Sequence, residues 1–415
     1  MAGPQNPDPP VELFGPAMLA DPYAAYARLR AADPVHWYAP QGAWLLTRYA
    51  DVDAALRDPR LSNTFGTAIS GSAQAAGGPT AAGWQTLASI FTFVRDALVF
   101  ADPPRHTRLR ELVSKAFTPQ TIDAMRPRIQ GLLDDLLGPL VAQGRCDLAH
   151  DLAYPFPLAV LALLLGFPQQ DRDQIKRWCD EFLVPFGRDP ATLPPADLEQ
   201  ARQSGDALSQ YVRDLTAQAR AHPRDDLLSA LVQAESAGDR LSEDELFANV
   251  VLFLIAGHEN LTGLLGCGTL ALLQQPDQWQ RLRADPSLLP SAVEELARYV
   301  TPNQFIRRVA LENVTIGDKQ VQKDQALLLI LAAANRDPAR YPNPDRLDLG
   351  RSVGWPIAFG HGIHFCLGVA LARLEGEVFF GTIAQRCPNL ALGTAQVEFV
   401  DNFNVRQVKA LPVTF

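Results

Sequence analysis

Apolar positions recur at helical spacing along most of the chain, and the longest such run covers 242–275. Ser242 followed three residues on by Glu245 is a capping box that opens it, and Pro276 stops it. About 33 residues at 1.5 Å each make a rod of roughly 50 Å, enough to cross a whole domain. The run is apolar on nearly every face, so this helix is expected at the centre of the fold. Other helical patterns lie at 21–31, 122–140, 168–186 and 196–221, the last two parted by Gly187, Asp189-Pro190 and Pro194-Pro195. Asp21-Pro22 opens the first, Thr47 is placed to cap a helix ending near Arg57, and Asp102-Pro103-Pro104 opens another.

Strand signals are fewer. The stretches 35–37 and 44–46 flank the turn chemistry of Ala39-Pro40-Gln41-Gly42, and 305–331 alternates around a turn at Gly317-Asp318. The segment 63–83, rich in Gly, Ala, Ser and Thr, reads as a long loop, and a short apolar piece with Phe91 and Phe93 follows it. No fixed-period repeat and no linker divides the chain. The expected architecture is one domain, mainly α with small β-sheets (α+β), over 21–415, behind a flexible arm at 1–20.

Composition narrows the partners more than the fold. Of 415 residues, 47% are hydrophobic and 20% charged, ordinary values for a soluble globular chain. The net charge of −9 argues against nucleic acid and against an anionic membrane surface. The longest uninterrupted apolar run, 158–167, lies between Pro157 and Pro168, far short of the ~20 residues a membrane span needs. Cys146, Cys179, Cys267, Cys366 and Cys387 have no paired spacing, which suits a reducing compartment. With no basic start or apolar run at the N-terminus, no signal peptide is expected, and the expected location is the cytoplasm.

Two stretches carry chemistry. The first is Phe359-Gly360-His361-Gly362-Ile363-His364-Phe365-Cys366-Leu367-Gly368, a cysteine on a glycine-rich loop directly before a helix-forming run. The N-terminus of that helix is expected to favour the thiolate, and Gly360, Gly362 and Gly368 to allow positive φ and close approach to something flat and bulky. Haem fits that description. His361, His364 and Cys366 could also form part of a zinc site, but no CxxC or second Cys–His pair offers a fourth ligand. The second stretch is Ala256-Gly257-His258-Glu259-Asn260 in the middle of the long helix, where a carboxylate interrupts an apolar run. Such a group is costly to bury without partners or work. His258 is expected to lie off the acid's face in a structural role.

The loop meets every specified position of Phe-Gly-x-Gly-x-His-x-Cys-x-Gly and closely resembles the signature of the cytochrome P450 family. The resemblance implies that family's single-domain fold, with haem b (iron protoporphyrin IX) between the long central helix and the Cys-loop helix. It implies Cys366 as the axial iron ligand, Phe359 packed near the sulfur, and Gly360, Gly368 and Ala256 against the macrocycle. His364 and Arg308 would reach the propionates, as would His106 and Arg110, which lie four apart on one helical face. Arg105, Arg108 and Lys115 are left as a basic face for an acidic electron donor. Glu295 and Arg298, three apart on a helix, resemble a structural Glu-x-x-Arg pair, with Arg346 as its third member.

Glu259 matches the acid of the family's oxygen-activating segment, which feeds protons. Asn260 departs from it, standing where a threonine is usual, and Thr262 is no substitute because two residues is about 200° around a helix. An amide can orient a water but does not donate a hydroxyl proton in the same way. Three readings stay open: Asn260 holds the water for ordinary monooxygenation, a substrate hydroxyl completes the relay, or the enzyme couples rings without inserting oxygen. The substrate pocket is expected to include Phe91 and Phe93 in the roof, Ile255, Val405 in the terminal segment, and Asn303, Gln304 and Ile306 by strand alternation. The implied partners are ferredoxin, ferredoxin reductase, O2 and a small organic molecule, with no nucleic acid and no membrane, acting on a monomer. A haem gas sensor is the reading from another class, disfavoured because Glu259 would have no use in it.

Overall fold

The computed structural model describes residues 12, 15–64, 90, 92, 94–115, 117–188, 193–236, 239–352, 354, 356–394 and 396–415. The expected roof residues Phe91 and Phe93 lie outside the described residues. Near the N-terminus, α1 (Pro16–Ala20) and α2 (Tyr23–Ala32) pack on a sheet, burying Met18, Tyr26 and Leu29. The C-terminal part of the arm expected over 1–20 is therefore a docked helix, because Met18 finds an apolar seat and Arg406 donates to Leu19 O and Ala20 O.

The hairpin forms as expected, with β1 (Val35–Tyr38) antiparallel to β2 (Ala43–Leu46). Thr47 does not cap α3 (Tyr49–Arg57). Its hydroxyl instead donates to Pro34 O across the hairpin base, leaving Arg48 as the N-cap. Three further strands, β3 (Leu61–Ser62), β4 (Ile306–Ala310) and β5 (Ala326–Leu329), complete the main sheet in the order β1-β2-β5-β4-β3. Only the β2–β5 pairing in it is parallel.

The helical body begins with α4 (Arg105–Ser114), α5 (Pro119–Ala124), α6 (Arg126–Gln143) and α7 (Pro155–Leu165). It continues with α8 (Arg172–Gly187), α9 (Pro195–Ala221), α10 (Leu227–Gln233) and the central α11 (Glu243–Leu273), then α12 (Pro276–Ala284), α13 (Leu289–Val300), α14 (Leu331–Ala334) and α15 (Val369–Arg386). Both hydrogen bonds of the Ser242/Glu245 capping box open α11, and α7, α9, α13 and α15 pack around it. Among the described residues α11 is the one helix with the length and apolarity of a membrane span, and 67% of its most apolar window is buried inside the fold. Gly263 lets the C-terminal segment close on α11, since a Cβ there would lie 2.6 Å from Arg406 O. That contact holds the strap 402–408 beside Glu259.

Candidate active site

The cysteine loop is two single 3₁₀ turns, Ile357–Phe359 and Gly362–His364, closed by Cys366 N–H donating to Phe359 O at 2.9 Å. Gly360 and Gly362 take φ of 68° and 72°, and a Cβ on Gly362 would sit 2.7 Å from Leu56 O. Gly362→Ala is therefore expected to destabilise the protein by about 1–3 kcal/mol, measurable as a lowered urea midpoint. Gly368 differs from expectation. Its φ is −85°, it caps α15, and a Cβ there would meet nothing within 4 Å. Its small size leaves room beside the thiol, and positive φ plays no part.

The thiol electrostatics also differ from expectation. Burial pushes the Cys366 thiol up from its ordinary value, and the backbone N–H of Gly368 with the charges of Arg110 and Arg373 only partly opposes it. The helix terminus alone does not hold a thiolate, whereas coordination to a metal would deprotonate it outright.

Around the loop gather four cationic or donor side chains from three places in the chain. Helix α4 supplies His106 and Arg110, β4 supplies Arg308, and the loop supplies His364. The His106 and His364 rings meet edge to face with centroids 4.4 Å apart. Burial, then Arg308, His106 and Arg110, lower the His364 pKa to about 3, and burial lowers that of Arg308 to about 10. His106 Nε2 and Arg308 Nη2 are buried with no hydrogen-bond partner among the described residues. Burying such groups unpaired costs about 1–3 kcal/mol each, so the cluster is suited to an anion. A thiol on a closed loop, open space beside Gly368 and orphaned donors together fit haem, with its propionates at the donors. Arg105 and Arg108 do not form the expected free basic face. They are engaged by Asp96, Asp239 and Glu245.

On α11, Glu259 is 7% exposed, and Gln407 of the strap donates to its Oε2 at 2.9 Å. His258 is not off the acid's face. It is fully buried, its Nδ1 donates to Leu254 O at 2.6 Å, and its Nε2 lies 3.5 Å from Glu259 Oε1 and 3.2 Å from Tyr154 Oη. Asn260 Oδ1 is buried without a partner among the described residues. It borders a cavity of about 130 Å³ lined also by Ile255, Ala256, Glu259, Asn303 and Val405, with Leu183, Phe186, Asn402 and Asn404. Gln304 and Ile306 do not reach it. Regular strand geometry begins only at Ile306, so alternation does not extend back to Gln304, whose amide instead donates to Thr301 O at 2.6 Å. Ile306 packs on the sheet core.

Behind the loop, Arg298 Nε and Nη2 grip both oxygens of Glu295 at 2.7 and 2.8 Å, with both side chains fully buried. The third member is Arg351, whose Nε donates to Glu295 Oε1 at 3.1 Å, and not Arg346. A turn at Asn343 (φ 48°) leaves the Arg346 side chain exposed and supplies only its carbonyl to Arg298 and Arg351. Neither Arg351 nor Gln407, 148 residues from Glu259 in sequence, carries a local signal that would have marked it.

The "Cytochrome P450" family model matches residues 85–403. The chain is 39% identical over 411 residues to cytochrome P450 107B1 of Saccharopolyspora erythraea, covering 98% of each. It is 39% identical over 385 residues to 6-deoxyerythronolide B hydroxylase of the same organism, covering 92% of each. The solved structure of the bacillaene polyketide synthase cytochrome P450 PksS of Bacillus subtilis superposes with a TM-score of 0.87 at 33% identity, covering 97% of this chain and 99% of that one. Fold, loop and relatives agree: the chain belongs to the cytochrome P450 family and is a haem-thiolate monooxygenase.

Proposed function

We propose that this chain takes electrons from a ferredoxin, itself reduced by ferredoxin reductase, to hydroxylate or epoxidise a small organic molecule in natural-product biosynthesis. It does so as a cytoplasmic monomer carrying haem b. The supporting observation is the cavity beside Glu259 and Asn260: apolar walls from Ile255, Leu183, Phe186 and Val405 alternate with the amides of Asn260, Asn303, Asn402 and Asn404. Such a lining suits a neutral, oxygenated, largely aliphatic scaffold, in keeping with the name of one relative, a hydroxylase of 6-deoxyerythronolide B.

Thiolate-ligated haem supplies the reductive activation of O2. Cys366 would be the ligand, with Phe359 beside it, and Gly360, Gly368 and Ala256 would leave room for the ring. His106, Arg110, Arg308 and His364 would hold the propionates. Arg308→Ala is expected to weaken haem retention by about 1.5–3 kcal/mol, read as faster haem transfer to an acceptor protein. Glu259 delivers protons into the cavity, and Asn260 orients water there through its amide. Glu259→Gln should lower product formed per electron by about a hundredfold, with peroxide rising instead.

Spin-state titration against macrolides, terpenoids, fatty acids and indole-type aromatics, followed by turnover under isotopically labelled O2, tests the reading. One labelled oxygen in the product of an aliphatic scaffold is the expected result. A ring-joined product without label would replace it with oxidative coupling, and ligand binding without any turnover would indicate a sensor.

A further inference from the structure

Glu259 is buried apart from the face it shows to the cavity, so a proton donor there needs a supply that does not pass through the substrate, and among the described residues a polar path runs from it to the surface. Asp180 on α8 has a half-exposed side chain, 41% accessible, and is held by Lys176 at 2.8 Å. Tyr154, at the start of α7, donates to Asp180 Oδ1 at 3.1 Å, and its oxygen lies 3.2 Å from His258 Nε2. His258 Nε2 in turn lies 3.5 Å from Glu259 Oε1. We propose that Asp180, Tyr154 and His258 form a proton wire that reloads Glu259 from the protein surface. This rests on the reading of Glu259 as the proton source.

Three details favour a wire over a static cluster. The Nδ1–H bond to Leu254 O fixes the ring, so Nε2 is the nitrogen that must gain and lose the proton. Burial alone would push His258 down, but Glu259, Leu254 O and Asp180 outweigh it and push it up, which favours taking a proton at Nε2. Gln407 occupies Glu259 Oε2 and leaves Oε1 facing His258. The ligand atoms of Asp180, His258 and Glu259 lie within 4.8 Å of one another, but Gln407 already engages Glu259, and Tyr154 and Lys176 already engage Asp180.

The transfer conserves charge and moves no electrons. The His258 Nε2–H bond breaks as the Glu259 Oε1–H bond forms. Tyr154 then passes its hydroxyl proton to Nε2 while taking one from the Asp180 carboxylic acid, and Asp180 has drawn that proton from water. The net change is one proton moved from solvent to Glu259. Burial pushes Tyr154 far up, so it relays by giving and taking in concert and never rests as a phenolate.

Tyr154→Phe removes only the hydroxyl, and Asp180→Asn changes a half-exposed group, so both variants should fold. In the carbon-monoxide-bound ferrous holoenzyme labelled with nitrogen-15 histidine, exchange of the His258 Nε2 proton with water should slow by about tenfold in both. Product per electron should fall by a similar factor, with a larger solvent isotope effect. Wild-type exchange in Tyr154→Phe, or slowed exchange with unchanged coupling, would overturn the wire. If Glu259→Gln itself leaves coupling unchanged, the failure lies with Glu259 as donor.

Discussion

Glu295→Gln is expected to remove about 3–5 kcal/mol of stability and to yield protein purified largely without haem. The guanidinium of Arg298 would then be buried without a countercharge, since its other partners are the carbonyls of Asn335, Pro344 and Arg346 at 2.8, 2.9 and 3.4 Å. Glu295 also accepts the backbone N–H of Asp348 at 2.9 Å, so the same carboxylate ties α13 to the segment leading into the cysteine loop. Urea unfolding with haem absorbance as a second probe measures both effects. Arg351→Ala should reproduce part of the loss and Arg346→Ala very little. Equal effects of the two would contradict the network as built.

Cys366→Ser should abolish the red-shifted Soret band of the reduced carbon-monoxide complex and reduce monooxygenation to background. The fold should survive, because the loop is closed by the backbone N–H of Cys366 to Phe359 O and not by its side chain. Haem should still be captured through His106, Arg110, Arg308 and His364, with an ordinary oxygen-ligated or unligated spectrum. A variant that kept the red-shifted band would move the thiolate assignment to another cysteine, and among the other four Cys179, Cys267 and Cys387 are buried. Asn260→Thr, tested beside it, restores a hydroxyl at the cavity. Improved coupling would show that the amide is a compromise in proton delivery, and poorer coupling that it is matched to the substrate.

Local chemistry was enough for what local chemistry decides. The capping box and apolar run place the ends of α11 within two residues of where the helix starts and stops, because cap and period act over a single turn. The cysteine loop was legible for the same reason: its glycines, histidine and thiol lie within ten residues, and their order carries the chemistry. The pair Glu295 and Arg298 was visible because three residues on a helix bring side chains together.

What only the tertiary structure decided involves partners far apart in the chain. Arg351 takes the place expected for Arg346 because one left-handed residue at Asn343 redirects the turn, and nothing in the sequence near Glu295 reports that. His258 is the neighbour of Glu259 in a buried chain with Tyr154, 104 residues away, since the packing of α7 on α11 decides which polar groups share a dry interior. The helix start beside the thiol favours ionisation, but burial, a property of the whole fold, pushes it the other way until a metal is bound. The sequence by itself thus determined the elements and the ligand-bearing loop, which depend on contacts one turn apart. Tertiary packing determined protonation and pairing, because both depend on which distant groups exclude water together.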